Sequence, residues 1–484
     1  MGFEDIINTV NGWVWGPPML GLLLLTGAYL TVGLRLLSVI RIPYAFKQLF
    51  KKRGDGDIEE GDVSPFAALM TALSSTIGTG NIAGVAAAIA IGGPGAIFWM
   101  WMTAIVGTAT KFSEGVLAVR FREIDANGNR VGGPMYYIKN GLGPQWKWLA
   151  FAFAMFGMLA AWGTGASIQA NSVADALNNS YDIPPLFTAI ALAAGAAAVI
   201  IGGIQRIGIV ASAVVPFMAL AYFGAGLLVI ALNISEVPAA FGSIFRGAFG
   251  YDSATAGISI GLIMLAMQKG VARGIFSNEA GQGSAPIAHA AARNKDPVNQ
   301  GLVAMLGTII DTLIVCTITA LIILTSGIIS PECVPDSTNL STFLSGTQPA
   351  GCDTGAPLTV SAFDATLTGW GKHIVTLGLV VFGFTTILGW SYYGERCAHF
   401  IFGEKSIFPY RISWIVVVFI GAAVLMFEGT VSNIVNLFWL VADTLTGLMA
   451  APNLIALLLL SPLVFKLAKE YFTAPGTGEK PAKE

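Results

Sequence analysis

The sequence predicts an all-α integral membrane protein with about eleven spanning helices. Three observations predict it: too little charge for a soluble chain, apolar runs of membrane length, and basic residues that recur in alternate loops. Of 484 residues, 55% are apolar and only 11% are charged, with a mean hydropathy of +0.71. Soluble chains carry roughly 25% charged residues, so the natural solvent for this surface is lipid. The net charge of −2 gives no basis for binding nucleic acid.

A spanning helix needs about 20 mostly apolar residues. On that measure the runs are 16–40, 66–91, 95–120, 148–178, 185–203, 208–233, 256–287, 299–327, 371–400, 411–427 and 431–465. The opening residues have acids near the start and no basic region, so no cleavable signal is expected and the first run stays as a helix.

Lys and Arg near span ends favour the cytoplasm. Arg41, Lys47, Lys51, Lys52 and Arg53 follow the first run, and Arg120, Arg122, Arg130 and Lys139 follow the third. Arg206, Arg293, Lys295, Lys405, Arg411 and the C-terminal lysines fall on the same side if there are eleven spans. The expected orientation is N-terminus outside and C-terminus cytoplasmic, in a cell (inner) membrane. Gly133 to Lys139 reads as a short interfacial helix and Thr359 to Gly369 as a re-entrant or capping helix; the tail from Ala474 reads as disordered.

Cys316 and Cys397 lie in or beside apolar runs and read as inert thiols. Cys333 and Cys352 share one polar loop on the outer side, where a disulfide is open to them; two free thiols are the alternative.

The second run reads ALSSTIGTGNIAGVAAAIAIGG, with Gly78, Gly80 and Gly84 among Ser74, Ser75, Thr76, Thr79 and Asn81. Such a stretch is either a close-packed helix interface or an unwound segment, which at membrane depth must be buried or line a cavity. Unwound backbone offers N–H groups to a carboxylate and C=O groups to a cation. The seventh run has the same character around Ser277, Asn278 and Glu279, with Gly270, Gly274, Gly281, Gly283 and Pro286. It lies five spans after the second. With the first run set aside, these are the first helices of two five-helix units, inverted because each unit has an odd number of spans. Paired breaks of this kind point to a transporter site. The expected division is 1–60 (extra helix and basic linker), 61–240 (first repeat), 241–470 (second repeat, with an outer loop 328–370) and 471–484 (tail).

Ionisable residues in spans default to functional hypotheses. Glu279 reads mainly as a structural tie to loose N–H groups or as a partner of Arg273 or Lys269; cation or proton coupling is its sharper role. Asp311 and Asp443 read as packing contacts, and Lys111 with Glu114 as an internal pair. His289, His373 and His399 offer no metal spacing. Thr385 and Thr386 present oxygens suited to sodium, or simply bond back to the preceding turn; Trp390, one turn on, is placed to wall a cavity. Gln169 offers an amide either to a polar substrate or to a neighbouring helix. A channel lacks its repeated pore motif here, and an enzyme lacks a nucleophile with its base, so no enzyme is expected.

The segments STIGTGNIAGVA, GGPGAIFWMW, GGPMYYI, GIFSNEAGQGSAPIAHAAA and FWLVADTLTGLMAAPNLIALLLLS resemble the alanine/glycine:cation symporter family over nearly the whole chain. The resemblance implies a LeuT-type fold of two inverted five-helix repeats with one extra N-terminal helix and discontinuous first and sixth core helices. It implies sodium-coupled symport of small neutral amino acids, alanine and glycine, by alternating access, with sodium as coupling ion and no other cofactor. Thr79 and Gly80 would offer N–H groups to the substrate carboxylate with Asn81 beside them. Phe276 and Ser277 would face the amino group and side chain, Gln169 would touch the substrate, and Trp390 would close the pocket. The cation would sit between carbonyls near Ser74 and Ile77 and the hydroxyls of Thr385 and Thr386. A proton-coupled or sodium-coupled carrier of a different small solute on the same fold is the competing reading.

Overall fold

Local chemistry sets where the helices begin and break. In the computed structural model, which describes residues 2–50, 62–250, 256–336, 339–344, 349, 351–427 and 432–473, Ser64 Oγ accepts from Ala67 N at 3.1 Å and Pro65 takes the first helical position. A side-chain oxygen satisfies one of the N–H groups a helix start leaves unpaired, and proline has no N–H to leave. The helix Pro65–Thr76 follows and stops at Ile77, whose backbone turns extended. The chain bends by 55°, runs through a π-helical turn at Gly80–Gly84 and continues as Val85–Gly92. The helix Ala256–Asn278 stops in the same way. Glu279, Gly281 and Gly283 all have positive φ, and a short helix, Ala285–Ala290, resumes after them. Glu279 is the one non-glycine among the three. A left-handed residue with a Cβ costs roughly 1–2 kcal/mol, so neighbouring contacts hold it there.

Long helices frame these two breaks. Gly95–Arg120 packs against Ala256–Asn278 and Pro297–Thr308, while Gly371–Phe402 packs against Pro65–Thr76 and Ile168–Tyr181. Wide π-helical turns interrupt two further helices, at Ala161–Ser167 and Ile309–Cys316. Glycines set the closest approaches. A Cβ on Gly389 would lie 2.8 Å from Ser75 N and 2.7 Å from Ser74 Oγ, and one on Gly165 would lie 2.3 Å from Trp390 Cβ. Small residues at membrane-helix contacts let backbones approach; here they bring the first break against the helix that carries Thr386 and Trp390.

Among the described residues eight helices are long and apolar enough to span a membrane, or nine if the bent pair Pro65–Thr76 and Gly80–Gly92 is one span. The count read from sequence is higher for physical reasons. Gly95–Arg120 carries Lys111, Glu114 and Arg120, and Pro185–Ile200 has only 16 residues. A helix at Phe3–Val14, which the sequence reading left unassigned, precedes the first apolar run and is set off from it at Trp15 and Gly16.

The Gly133 to Lys139 stretch forms Pro134–Tyr137 and a π turn at Ile138–Leu142. In place of the expected Thr359 to Gly369 helix stands Gly355–Thr366, docked on the first break by Thr359 Oγ1 donating to Ile82 O at 3.3 Å. Cys333 and Cys352 are disulfide-bonded, and Cys316 and Cys397 are buried free thiols. His399 and Glu404 are 3.2 Å apart and close to Asp125, a grouping that sequence spacing does not reveal. Asp125 is occupied already by Asn127 N, Asn129 N and Arg396 Nη1. Lys51, Lys52, Arg53 and the tail from Ala474 lie outside the described residues.

Substituting Gly389→Val puts a Cβ 2.8 Å from Ser75 N, closer than a carbon can pack. Overpacking of this kind costs about 1–3 kcal/mol, so the variant is expected to unfold at a lower temperature in detergent; an unchanged melting temperature would remove this contact from the packing argument.

Candidate functional site

The two breaks meet at one small cavity. Its wall is drawn from the first break (Ser75, Thr76, Gly78, Thr79, Gly80), the second (Phe276, Glu279, Gln282), the π turn and helix at Thr164 and Gln169, and the long helix at Thr386 and Trp390, with Thr446 beside them. The centre of a water molecule has about 20 Å³ to move in there, which is room for only one or two waters.

The wall is held by named contacts. Asn81 Oδ1 accepts from Gly78 N at 2.9 Å and Gly78 O accepts from Asn81 N at 3.2 Å, so the side chain closes the turn on itself. Thr79 and Gly80 follow at the start of the π turn, where backbone N–H groups have no preceding turn of helix to bond. Thr79 Oγ1 donates to Gln169 Oε1 at 3.2 Å, and Gln169 Nε2 donates to Thr164 O at 3.3 Å. Thr164 and Thr446 hydroxyls share a 2.9 Å hydrogen bond. Phe276 lies 3.6 Å from the position a Cβ on Gly80 would take.

Glu279 is the only ionisable residue on this wall, and it is 3% exposed. Its Oε1 accepts from Trp390 Nε1 at 2.9 Å, and its Oε2 accepts from Ser284 Oγ. Its partners are therefore Trp390 and Ser284 and not Arg273 or Lys269, as the sequence reading offered. The reason is topological: the basic pair lies one to three turns earlier, before the chain reverses its backbone hand at Glu279. Gln282 Nε2 reaches back to Ile275 O at 3.1 Å and caps the helix that ends there. Glu114 Oε1 accepts from Gly281 N at 3.2 Å and from Asn453 Nδ2 at 2.7 Å, which pins the second break from its other side. The hydrogen bonds of Glu114 thus go to the break and to Asn453, and none to Lys111 is among the described contacts.

Asn81 and Ser277 stand off the cavity wall. Asn81 Nδ2 donates to Asp311 Oδ1 at 2.7 Å, and Ser277 Oγ and Thr312 Oγ1 donate to Asp311 Oδ2, each at 2.7 Å. Asp311, fully buried, is the centre that joins both breaks to the π turn at Ile309–Cys316. Sequence spacing flagged its charge but gave it only a packing contact. Thr385 and Thr386 part company too. Thr385 Oγ1 donates to Phe382 O at 3.0 Å and faces Met218, away from the cavity. Thr386 Oγ1 donates to Phe382 O at 2.9 Å and lies 3.5 Å from Ile77 O. Ser74 Oγ donates to Thr71 O at 2.7 Å and packs on Gly389.

Thr164, Gln282, Ser284 and Thr446 were not read from sequence as site residues. Their polarity within apolar spans was a signal, but polar residues bonding their own helix carry the same signal.

A polytopic helical bundle with two broken helices converging on a buried polar cavity defines a secondary transporter of solutes. The chain belongs to the sodium:alanine symporter family, which it matches across residues 1–484. It is 49% identical over 473 residues to the sodium/alanine symporter AgcS of Methanococcus maripaludis, covering 97% of this chain and 98% of that one. It is 36% identical over 482 residues to a Bacillus subtilis protein described as a probable sodium/glutamine symporter, GlnT, covering 99% of this chain and 92% of that one. In fold it is similar to MhsT in complex with L-phenylalanine (TM-score 0.53, 11% identity, 85% of this chain and 99% of that one). A manganese transporter of Eremococcus coleocola gives a TM-score of 0.51 at 11% identity, over 89% of this chain and 94% of that one.

Trp390→Phe keeps an aromatic ring, though a smaller one, and removes the indole N–H that donates to Glu279 Oε1. A buried acceptor left unpaired costs about 1–3 kcal/mol. The variant is expected to melt at a lower temperature than the parent, and the double variant Trp390→Phe/Glu279→Gln is expected to lose less than the sum of the two single losses. Additive losses would show that the two side chains are not coupled.

Proposed function

We propose that this chain carries small neutral amino acids, alanine and glycine, into the cell together with sodium, by alternating access around the cavity between the two breaks. The observation that carries the reading is the meeting of both breaks on one small, buried polar cavity, in a chain of this family. Thr79 and Gly80 hold the substrate carboxylate through backbone N–H groups. Glu279, the one carboxylate on the wall, draws the ammonium group, with its second role the tie to Trp390 and Ser284. Phe276, Gln169 and Trp390 bound the remaining space. Asn81 and Ser277 act through Asp311 and hold the breaks in register.

Sodium binds between Ile77 O, the Ser74 carbonyl and Thr386 Oγ1. Hard cations of about this size take oxygens at roughly 2.3–2.6 Å, and two oxygens 3.5 Å apart can share such an ion. Thr385 drops out of the ligand set, because its hydroxyl turns to Phe382 and Met218. The two ligands favour each other by linkage: the cation neutralises the carbonyls of the stretch whose next N–H groups take the carboxylate. The finer architecture belongs to the same proposal. It comprises eleven spans, two inverted five-helix repeats at 61–240 and 241–470 after an extra helix in 1–60, a LeuT-type arrangement with N-terminus outside and C-terminus cytoplasmic, and sodium as the only coupling group.

Uptake of labelled alanine, glycine and glutamine into proteoliposomes, with and without an inward sodium gradient, tests the reading. Gradient-driven accumulation of alanine and glycine is expected, with glutamine at least tenfold slower because of the cavity's size; no gradient-dependent uptake of any of them sinks it. Thr386→Ala is expected to raise the sodium concentration for half-maximal alanine uptake by about tenfold, roughly 1.4 kcal/mol, while Thr385→Ala leaves it within twofold. Equal effects of the two substitutions would remove the cation assignment.

A further inference from the structure

A cavity away from the central site lies where the chain turns between the helices Pro185–Ile200 and Gly203–Leu232. The centre of a water molecule has about 250 Å³ to move in there, against about 20 Å³ in the central cavity. Tyr392, Glu395 and Arg396 bring to it the last turns of Gly371–Phe402. That helix starts beside the outer-loop helix Gly355–Thr366, where Gly371 N donates to Asp364 Oδ1 at 2.6 Å. At about 1.5 Å per residue Glu395 is roughly 36 Å further on, so the cavity stands at the opposite end of the bundle from the disulfide loop. In the orientation proposed above, that end faces the cytoplasm.

One wall is the start of a helix. Gly202, Gly203, Ile204 and Gln205, which open Gly203–Leu232, all line the cavity. The N–H groups of a first helical turn have no earlier carbonyl to bond, and no side chain caps this one. The partial positive charge of a helix start favours an anion. Gly203 has a φ of +66°, and a Cβ on it would lie 3.1 Å from Arg411 Nη2. The backbone therefore passes close against that guanidinium.

The other wall carries two arginines. Arg411, on Ile407–Ala423, donates from Nε to Glu395 Oε2 and from Nη1 to Ile201 O at 2.9 Å, which fixes its guanidinium at the turn. Arg396 is 4% exposed. Its Nη2 donates to Glu395 Oε1 and its Nη1 to Asp125 Oδ2, while its buried Nε has no hydrogen-bond partner among the described residues. Buried polar groups are rarely left unpaired. Glu395 is the one carboxylate on this wall among the described residues, and both of its oxygens are taken by the arginines. The cavity is left with donors: an uncapped helix start and a buried Nε beside two guanidinium groups.

We propose that this cavity binds a phosphate-type oxyanion, held by the first turn of Gly203–Leu232 together with Arg396 and Arg411. Helix starts and guanidinium forks each present N–H groups suited to such oxygens, and here the two converge. No residue of the central cavity lines it, so the inference stands apart from the substrate assigned there. The oxyanion comes from free phosphate or from the headgroup of an anionic lipid, and the experiment separates these sources.

The test is equilibrium binding of radiolabelled orthophosphate to the full-length carrier in phosphatidylcholine nanodiscs, with cooperative thermal unfolding as the check that each variant is folded. One saturable phosphate per carrier is expected for the parent. Arg411→Gln is expected to weaken it at least about tenfold. Gly203→Asp is the second variant: aspartate tolerates a left-handed backbone, and its carboxylate takes the ligand's place beside Arg411. It is expected to weaken phosphate binding by at least the same factor. When phosphatidylglycerol is added to the nanodiscs, competition of at least about tenfold assigns the oxyanion to a lipid headgroup, and unchanged binding assigns it to the free ion. Phosphate binding by the parent that does not saturate overturns the site. Saturable binding that survives both substitutions overturns its placement at this helix start.

Discussion

Everything in this chain depends on satisfying backbone groups where helices stop inside an apolar bundle. At membrane depth an unpaired N–H or C=O costs several kcal/mol, and water is not there to take it. The first break is closed by Asn81, whose side chain accepts from Gly78 N. The second is closed by Gln282 on Ile275 O and by Glu114 and Asn453 on the backbone of Gly281. The first break is thus held by its own side chain and the second by its own and by side chains from other helices, and what remains open faces one cavity.

That economy explains why the buried charges sit where they do. Glu114 and Asp311 do not line the central cavity, yet each is tied to a break. Asp311 gathers Asn81 from one break and Ser277 from the other, so the two cannot move apart without Asp311 losing one of these hydrogen bonds. Glu279 bridges the second break to Trp390 on the long helix. A change at either break is therefore felt at the other through hydrogen bonds that are costly to lose. Rocking one group of helices against another around a fixed site requires that kind of rigid centre.

Much was legible before any fold was seen. The glycines and small polar residues of Ser74 to Gly84, and their echo at Ile275 to Gly283, break an apolar pattern in a way that few structures tolerate, so both breaks and their pairing could be read. Residue types at the breaks also pointed to Thr79, Gly80, Gln169, Phe276 and Trp390, which stand on the cavity wall. Adjacent threonines looked equivalent in sequence; helix geometry points Thr386 at Ile77 and Thr385 at Met218, since neighbours on a helix are turned about 100° apart.

By itself the sequence determined that the chain lives in lipid, that it is helical, and that two of its helices are broken. Composition and periodicity decide these, because each follows from the solvent and from local backbone preference. Only the tertiary structure decided which partners the buried ionisable groups have. Trp390 and Glu279 are 111 residues apart, and Asn81 and Asp311 are 230 apart. Hydrogen bonds over such separations depend on how helices cross, which no local pattern encodes. The same holds for Asp443, whose partners Asn11 and Trp15 come from the start of the chain.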